Sequence, residues 1–461
     1  MKGRIFIFSF ILVLFSASVI FSQIRIQPWT DNPRYWSAQG NPILLLGASD
    51  DDNLFQWPPE MLKEQLDMIR ETGANYVRNT MSDRQDRGFE QYPFQEIEDG
   101  IYDLEKWNPV YWERFERFLD WTDSRQIFVQ LEVWDRFDYS RENWISHPYN
   151  PVNNINYTGE ESGLAKEYPE HPGRNLQPFF FTTPRQRNNR ILLKYQKSFV
   201  EKILSYSLQH GHVLYCMDNE TSGEEEWGRF WAELIKQRAK EKGVRVYLTE
   251  MWDAWDIKAQ EHRRTFDHPD FYDFVDVSQN NHNKGDEHWE NAIWVRDYLS
   301  NHLRPINTVK TYGADNNKFG HSDQDGIERF IRHILAGFAS ARFHRPPSGL
   351  GLSVKARNAV RSVRLLQGIT PLWNFSPQSK LLGQREENEA YLSADPGRSY
   401  IVYFTRNGSV SLQVEKGSYR LSWIRIDDGK VQATSEISAQ DELTIQTPNE
   451  GNWLAVIVKT G

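Results

Sequence analysis

The residues most able to do chemistry stand where short apolar runs give way to polar loops. Asn219 and Glu220 close a run that begins at His212, Glu132 and Asp135 close one that begins at Ile127, and Glu250 with Asp253 close one from Val244. Arg78, Asn280 with Asn281 and His282, Lys310 with Tyr312, and His344 end further runs of the same kind. The set is rich in carboxylates and amides. Cleaving a glycosidic bond needs a protonated carboxyl at the leaving oxygen and a second carboxylate, either as nucleophile or as base for water. His262, His268, His282 and His288 are too irregularly spaced to hold zinc. No Gly-rich phosphate loop, serine elbow or dinucleotide fingerprint occurs, so neither metal nor cofactor is expected. The run Asp50-Asp51-Asp52 offers oxygens to a hard cation, but it reads first as a solvated loop ahead of a helix.

Positioning such groups requires a frame, and the chain repeats one theme: apolar strand, polar loop, amphipathic helix. That alternation specifies a parallel α/β fold. Strands are expected over 42–47, 75–80, 127–134, 212–220, 244–252, 274–281, 306–312 and 340–344. Eight such units in order predict a (β/α)₈ TIM barrel, in which reacting groups come from the C-terminal strand ends. A long segment from about Asp135 to Pro184, rich in Tyr, Asn, Pro and Gly, is expected to overhang those ends. From Glu389 the texture changes to alternating runs such as Tyr400-Ile-Val-Tyr-Phe, punctuated by Asn407-Gly408 and Asp428-Gly429. This predicts a small antiparallel β-sandwich docked on the barrel. The expected division is a barrel over 23–383 and a sandwich over 384–461.

The first 22 residues combine early positive charge, an apolar run from Ile5 to Phe15 and a small-residue end, the order of a secretory signal peptide. The expected location is therefore the bacterial periplasm or exterior, with no membrane association once this segment is removed. A single cysteine, Cys216, excludes an intramolecular disulfide, so a large core must stabilise the 461-residue chain. A formal charge of −9 argues against nucleic acid or an anionic membrane as partner. Aromatic residues make up 14% of the chain, with 17 Trp, which leans towards a carbohydrate partner because sugar faces stack on rings.

Asn219-Glu220 at the end of the fourth strand resembles the clan of barrel glycosidases whose acid/base Glu follows an Asn there. With the opening strand Pro42 to Gly47 and the terminal Gly451-Asn-Trp-Leu-Ala455, the pattern is similar to the apiosidase-like branch of secreted barrel glycosidases. Members of that branch often carry a C-terminal β-domain described as collagen-binding. The resemblance implies hydrolysis of a plant or algal polysaccharide or its oligosaccharides, with Glu220 as general acid/base, its pKa raised by burial. It also implies a second Glu at the end of strand seven, where this chain has Lys310. Glu250 is the first alternative for the second carboxylate, followed by Glu132 and Asp135. Arg78, Glu132, Trp134, Asn219, Trp252, Asn280, Lys310 and Tyr312 are the expected substrate contacts, with Trp134, Trp252 and Tyr312 as sugar platforms. Lys310 leaves three further readings open: an anionic substrate bound by Lys310 and Arg78, a glycan-binding barrel without catalysis, or a lyase that uses Lys310 as base towards a uronic acid.

Overall fold

A computed structural model describes residues 25–461; the signal segment expected over residues 1–22 lies outside the described residues. Eight parallel strands follow in chain order: β1 Leu45–Ala48, β2 Tyr76–Thr80, β3 Phe128–Asp135, β4 Val213–Asn219, β5 Leu248–Thr249, β6 Val275–Asp276, β7 Ile306–Asn307 and β8 Ser340–Phe343. Each is followed by a helix, α1 Pro59–Thr72, α2 Pro109–Ser124, α3 Arg190–Ser207, α4 Glu225–Glu241, α5 Gln260–Phe266, α6 Gly285–Tyr298, α7 Asp323–Leu335 and α8 Val354–Ile369. Parallel pairing joins β8, β1, β2, β3, β4 and β5 in that order, and joins β6 to β7. The ring closes through Asp273 N–H to Leu248 O between β5 and β6, and Ala339 N–H to Ile306 O between β7 and β8. The fold is the expected (β/α)₈ barrel.

Local signals explain the element ends. Asn108, Asn189, Ser322 and Ser353 cap α2, α3, α7 and α8 through side-chain oxygens that accept helix N–H groups. Gly73 closes α1 at φ +86°, a left-handed position that costs a Cβ-bearing residue energy. Leu62, Leu66 and Ile69 of α1 and Ile327, Ile331 and Ile334 of α7 are buried on the strand side, as their spacing requires. Inside the ring a second layer forms from Leu45, Tyr76, Phe128, Leu214, Cys216, Met251, Phe274 and Val309, so the barrel interior is packed.

The C-terminal part comprises β9 Ala390–Asp395, β10 Ser399–Phe404, β11 Ser409–Gln413, β12 Gly417–Arg425, β13 Lys430–Ala439, β14 Glu442–Gln446 and β15 Trp453–Lys459. One sheet orders β9-β10-β15-β12-β13, and the other pairs β11 with β14. The sandwich begins ahead of residue 384, because Ser376–Pro377 pairs with β9 and Leu382–Gly383 with β11. Strand alternation assigns its residues to two cores. Leu392, Val402, Phe404, Leu412 and Ile457 fill the space between the sheets, whereas Tyr391, Tyr403, Leu454 and Val456 join the barrel's own core. Gln324 Nε2 donates to Thr405 O at 3.0 Å and Arg332 Nη1 to Asn388 Oδ1 at 3.0 Å across that junction. Among the described residues, no helix is long and apolar enough to cross a membrane.

Candidate active site

Glu220 is the first residue past β4, and its backbone sits at φ +50°, in the left-handed region that few non-glycine residues occupy. Such strain costs about 1–3 kcal/mol and persists only where surrounding contacts hold it. Here they are dense. Lys310 Nζ lies 2.7 Å from Glu220 Oε1, Tyr312 OH donates to the same oxygen at 2.9 Å, and Gln279 Nε2 donates to it at 3.1 Å. Among the described residues, the hydrogen bonds and ion pair of the Glu220 carboxylate all go to Oε1. Lys310 Nζ also donates to Asn219 Oδ1 at 2.5 Å, and Asn219 Nδ2 donates to Asp135 Oδ2 at 3.0 Å.

This arrangement overturns the expected protonation of Glu220. Burial alone would raise its pKa, but the charge and hydrogen bond of Lys310, with Arg78 and Tyr312, hold it well below the ordinary carboxylate range. Glu220 is therefore an anion at neutral pH, suited to meet positive charge rather than to donate a proton.

A second carboxyl, Asp253, lines the same cavity. Thr221 N–H donates to Met251 O at 2.8 Å and Asp253 N–H to Thr221 O at 2.9 Å, which ties the loop after β5 to the loop after β4. The clamp brings Asp253 into the cavity that Glu220 lines. Burial and the negative charge of Glu220 push Asp253 up to about 7, against the opposing pull of Lys310. Two carboxyls in one cavity thus have widely separated proton affinities, the division of labour that acid and base roles demand.

The cavity has a volume of about 410 Å³, in the range of small-molecule sites, and opens at the C-terminal strand ends. On one side Arg78 donates from Nε to Glu132 at 2.7 Å and places Nη1 2.7 Å from Asp52 Oδ2. Asp52 is also held by Arg342 at 3.0 Å and Arg345 at 2.9 Å. Burial opposes its ionisation, yet Arg78, His344, Arg342 and Arg345 together keep its pKa well below normal. The Asp50 to Asp52 segment is thus neither a solvated loop nor a cation site: Asp52 is the anionic hub of a buried arginine cluster.

Of the sequence-predicted contacts, Arg78, Asn219, Glu220, Lys310 and Tyr312 line this cavity, and Glu132 sits one contact behind it on Arg78. Four others point elsewhere. Glu250 faces the helix layer, where Oε1 accepts Asp218 N–H at 2.9 Å and Met251 N–H at 3.0 Å. Its other oxygen faces Gly228 of α4, at a place where a Cβ would come within 2.3 Å. Trp134 packs against Trp227 and Trp231 at ring distances of 5.7 and 5.2 Å. Trp252 is buried with Nε1 donating to Thr265 Oγ1 at 2.7 Å, and Asn280 Nδ2 donates to His288 O at 3.1 Å. The expectation for Glu250, Trp134, Trp252 and Asn280 as site residues is therefore corrected.

The physical reasons differ. Along β3, Gln130 and Glu132 face inward, but the alternation slips by one residue and Asp135, not Trp134, meets Asn219. After β6 the chain leaves the strand and forms a 3₁₀ turn over Ser278–His282, which turns Gln279 towards Glu220 and Asn280 away.

Loops supply what the sequence reading missed. Trp255, 55% exposed against 1% for Trp134 and Trp252, stacks on His282 at 4.0 Å and 12°, with Phe319 beside His282 at 5.1 Å. The overhanging segment after β3 contributes Phe137, Arg141 and His171, and the loop after β7 contributes Lys318. Among the described residues neither Arg141 nor Lys318 has a carboxylate partner; Arg141 lies 6.0 Å over Phe137 and Lys318 4.9 Å over Phe319. His171 is lowered by burial first and then by Arg141 and Lys318, so both charges act on one part of the rim. A second Trp three residues past Trp252, just beyond the expected end of strand five, was the signal available in the sequence.

No protein-family model matches the sequence, and no curated protein matches it. Solved structures share its architecture. A glycoside hydrolase family 5 protein from Bacteroides vulgatus ATCC 8482 superposes with a TM-score of 0.62 at 13% identity, over 95% of this chain and 94% of that one. A second protein, described as a glycoside hydrolase, gives 0.61 at 10% identity over 95% and 97%. An alpha-amylase from H. orenii gives 0.52 at 13% identity over 91% and 98%. The chain thus has the fold of glycoside-hydrolase barrels across nearly its whole length.

Proposed function

We propose that this protein is a glycoside hydrolase acting on an acidic carbohydrate, with Glu220 as the ionised carboxylate and Asp253 as the general acid. The observation that carries the reading is the pairing of a cation-held carboxylate with a carboxyl raised to about 7 in one cavity. In the reaction Asp253 gives its proton to the glycosidic oxygen as the bond to the anomeric carbon breaks. Glu220 faces the positive charge that develops there, through Oε2, as attacking group or as base for water. Lys310, Tyr312 and Gln279 orient Glu220 by holding its other oxygen. Trp255 at the mouth offers a face on which a sugar ring stacks.

The acidic character of the substrate is supported by Arg141 and Lys318, rim cations that form no ion pair among the described residues. Such groups match the carboxylate of a uronic acid or a sulfate ester. The similarity to glycoside-hydrolase barrels supports the fold and not the sugar.

The test is product release from a panel of acidic oligosaccharides and their carboxyl-reduced or desulfated counterparts. The expected result is new reducing ends from acidic members, with little from neutral ones. Products that absorb in the ultraviolet through a new C=C bond would make the protein a lyase instead. Binding without product would make it a glycan-binding barrel.

A further inference from the structure

At the floor of the barrel, remote from the cavity, the end of α2 meets the turn His210-Gly211-His212 that leads into β4. Asp123, His210 and His212 each offer one donor atom there, all within 4.8 Å of one another. His210 Nδ1 is 3.4 Å from Asp123 Oδ2, and His212 Nδ1 is 3.7 Å from Asp123 Oδ1.

His212 is buried, its side chain only 1% exposed. Its Nε2 lies 2.9 Å from Thr122 Oγ1, and its Nδ1, without a hydrogen-bond partner among the described residues, is aimed at Asp123 Oδ1. A buried ring nitrogen left without a partner is costly, and a cation held between it and the carboxylate would satisfy both. His210 Nδ1 is in hydrogen-bond contact with the other oxygen, Asp123 Oδ2, at 3.4 Å, and its Nε2 lies 3.7 Å from Asp120.

We propose that Asp123, His210 and His212 bind a divalent transition-metal ion of the zinc class. Donors around a tetrahedral ion with bonds of ~2.0–2.1 Å stand ~3.3 Å apart, so the observed separations need only small side-chain rotations. Water fills the fourth position, and Thr122 and Asp120 act as the outer partners that orient the two rings. Metal binding takes neutral imidazole. The ion fastens the end of α2 to the start of β4. Its place on the N-terminal face gives it a structural role that sugar turnover does not require.

The full-length protein, stripped with chelator, is titrated with Co²⁺ and followed by its visible absorption. A tetrahedral Co²⁺ band with a stoichiometric endpoint is expected, displaced by Zn²⁺ and weakened by more than ~10-fold in Asp123→Asn and in His210→Ala. Both of those side chains are partly exposed, so the variants keep the fold, which far-ultraviolet circular dichroism verifies. His212→Gln, at the buried position, is the third variant. Absence of a stoichiometric endpoint in the wild type overturns the proposal, as does a band that survives both Asp123→Asn and His210→Ala.

Discussion

Charge placement within a few ångströms decides what Glu220 and Asp253 do. Each is partly buried, and burial alone would raise both pKa values; Lys310 at 2.7 Å reverses the effect on Glu220 and only moderates it on Asp253. The sign of the pH dependence follows. Asp253 keeps its proton below about 7 and loses it above, so kcat/KM is expected to fall as pH rises through that value. Asp253→Asn removes this limb along with most of the activity, and a pH series on the two proteins checks it. Lys310→Met removes the cation that depresses Glu220 and also pulls Asp253 down, so the acidic limb moves upward into the measurable range and the alkaline limb shifts upward with it. An unmoved acidic limb would mean that Glu220 does not titrate on the reaction path. Asn219-Glu220 was legible in the sequence because its strand position gave a common motif meaning. The ionisation of Glu220 was not, because it depends on a lysine 90 residues away whose distance no spacing rule supplies.

Among the strands and loops, legibility follows regularity. The eight strand-helix units were readable from apolar periodicity, and Arg78, Lys310 and Tyr312 reached the cavity as their strand-end positions predicted. Errors arose where regular alternation stopped: at the slip along β3 that buries Trp134, and at the 3₁₀ turn after β6 that turns Asn280 away. Glu250 follows the alternation of β5, which points it at α4 while Met251 faces inward. Its role is therefore to accept two backbone N–H groups, a task that the carbonyl of glutamine also performs. Glu250→Gln is expected to keep activity within about threefold of wild type. Gly228→Ala, which would press a methyl onto Glu250, is expected to lower stability by about 1–3 kcal/mol in urea unfolding. Loops carry the rim, so Arg141→Ala with Lys318→Ala is expected to raise KM for an acidic oligosaccharide about tenfold or more, with kcat little changed. An unchanged KM would remove the argument for an acidic substrate.

Across the whole molecule the barrel and the sandwich share a core. Tyr391, Tyr403, Leu454 and Val456 lie in the same apolar cluster as barrel residues, so removing the C-terminal domain would expose that face. A chain ending at residue 375 is expected to aggregate or to unfold at markedly lower temperature, which light scattering during a thermal ramp reports. A monomeric truncation with the full-length Tm would show that the sandwich is an independent attachment. The molecule is acidic overall at −9, yet at the rim of its cavity Arg141 and Lys318 form no ion pair among the described residues. Local field at this rim thus opposes net charge, so the proposed acidic substrate is expected to bind more strongly at low salt.

The central claim is that Glu220 and Asp253 together break a glycosidic bond. Its most direct test measures reducing-end release from an acidic oligosaccharide by wild type, Glu220→Gln and Asp253→Asn side by side at pH 6. The account predicts turnover by the wild type and a loss of about 10²–10⁴-fold in each variant, with circular dichroism unchanged. Wild-type rates in either variant would contradict it.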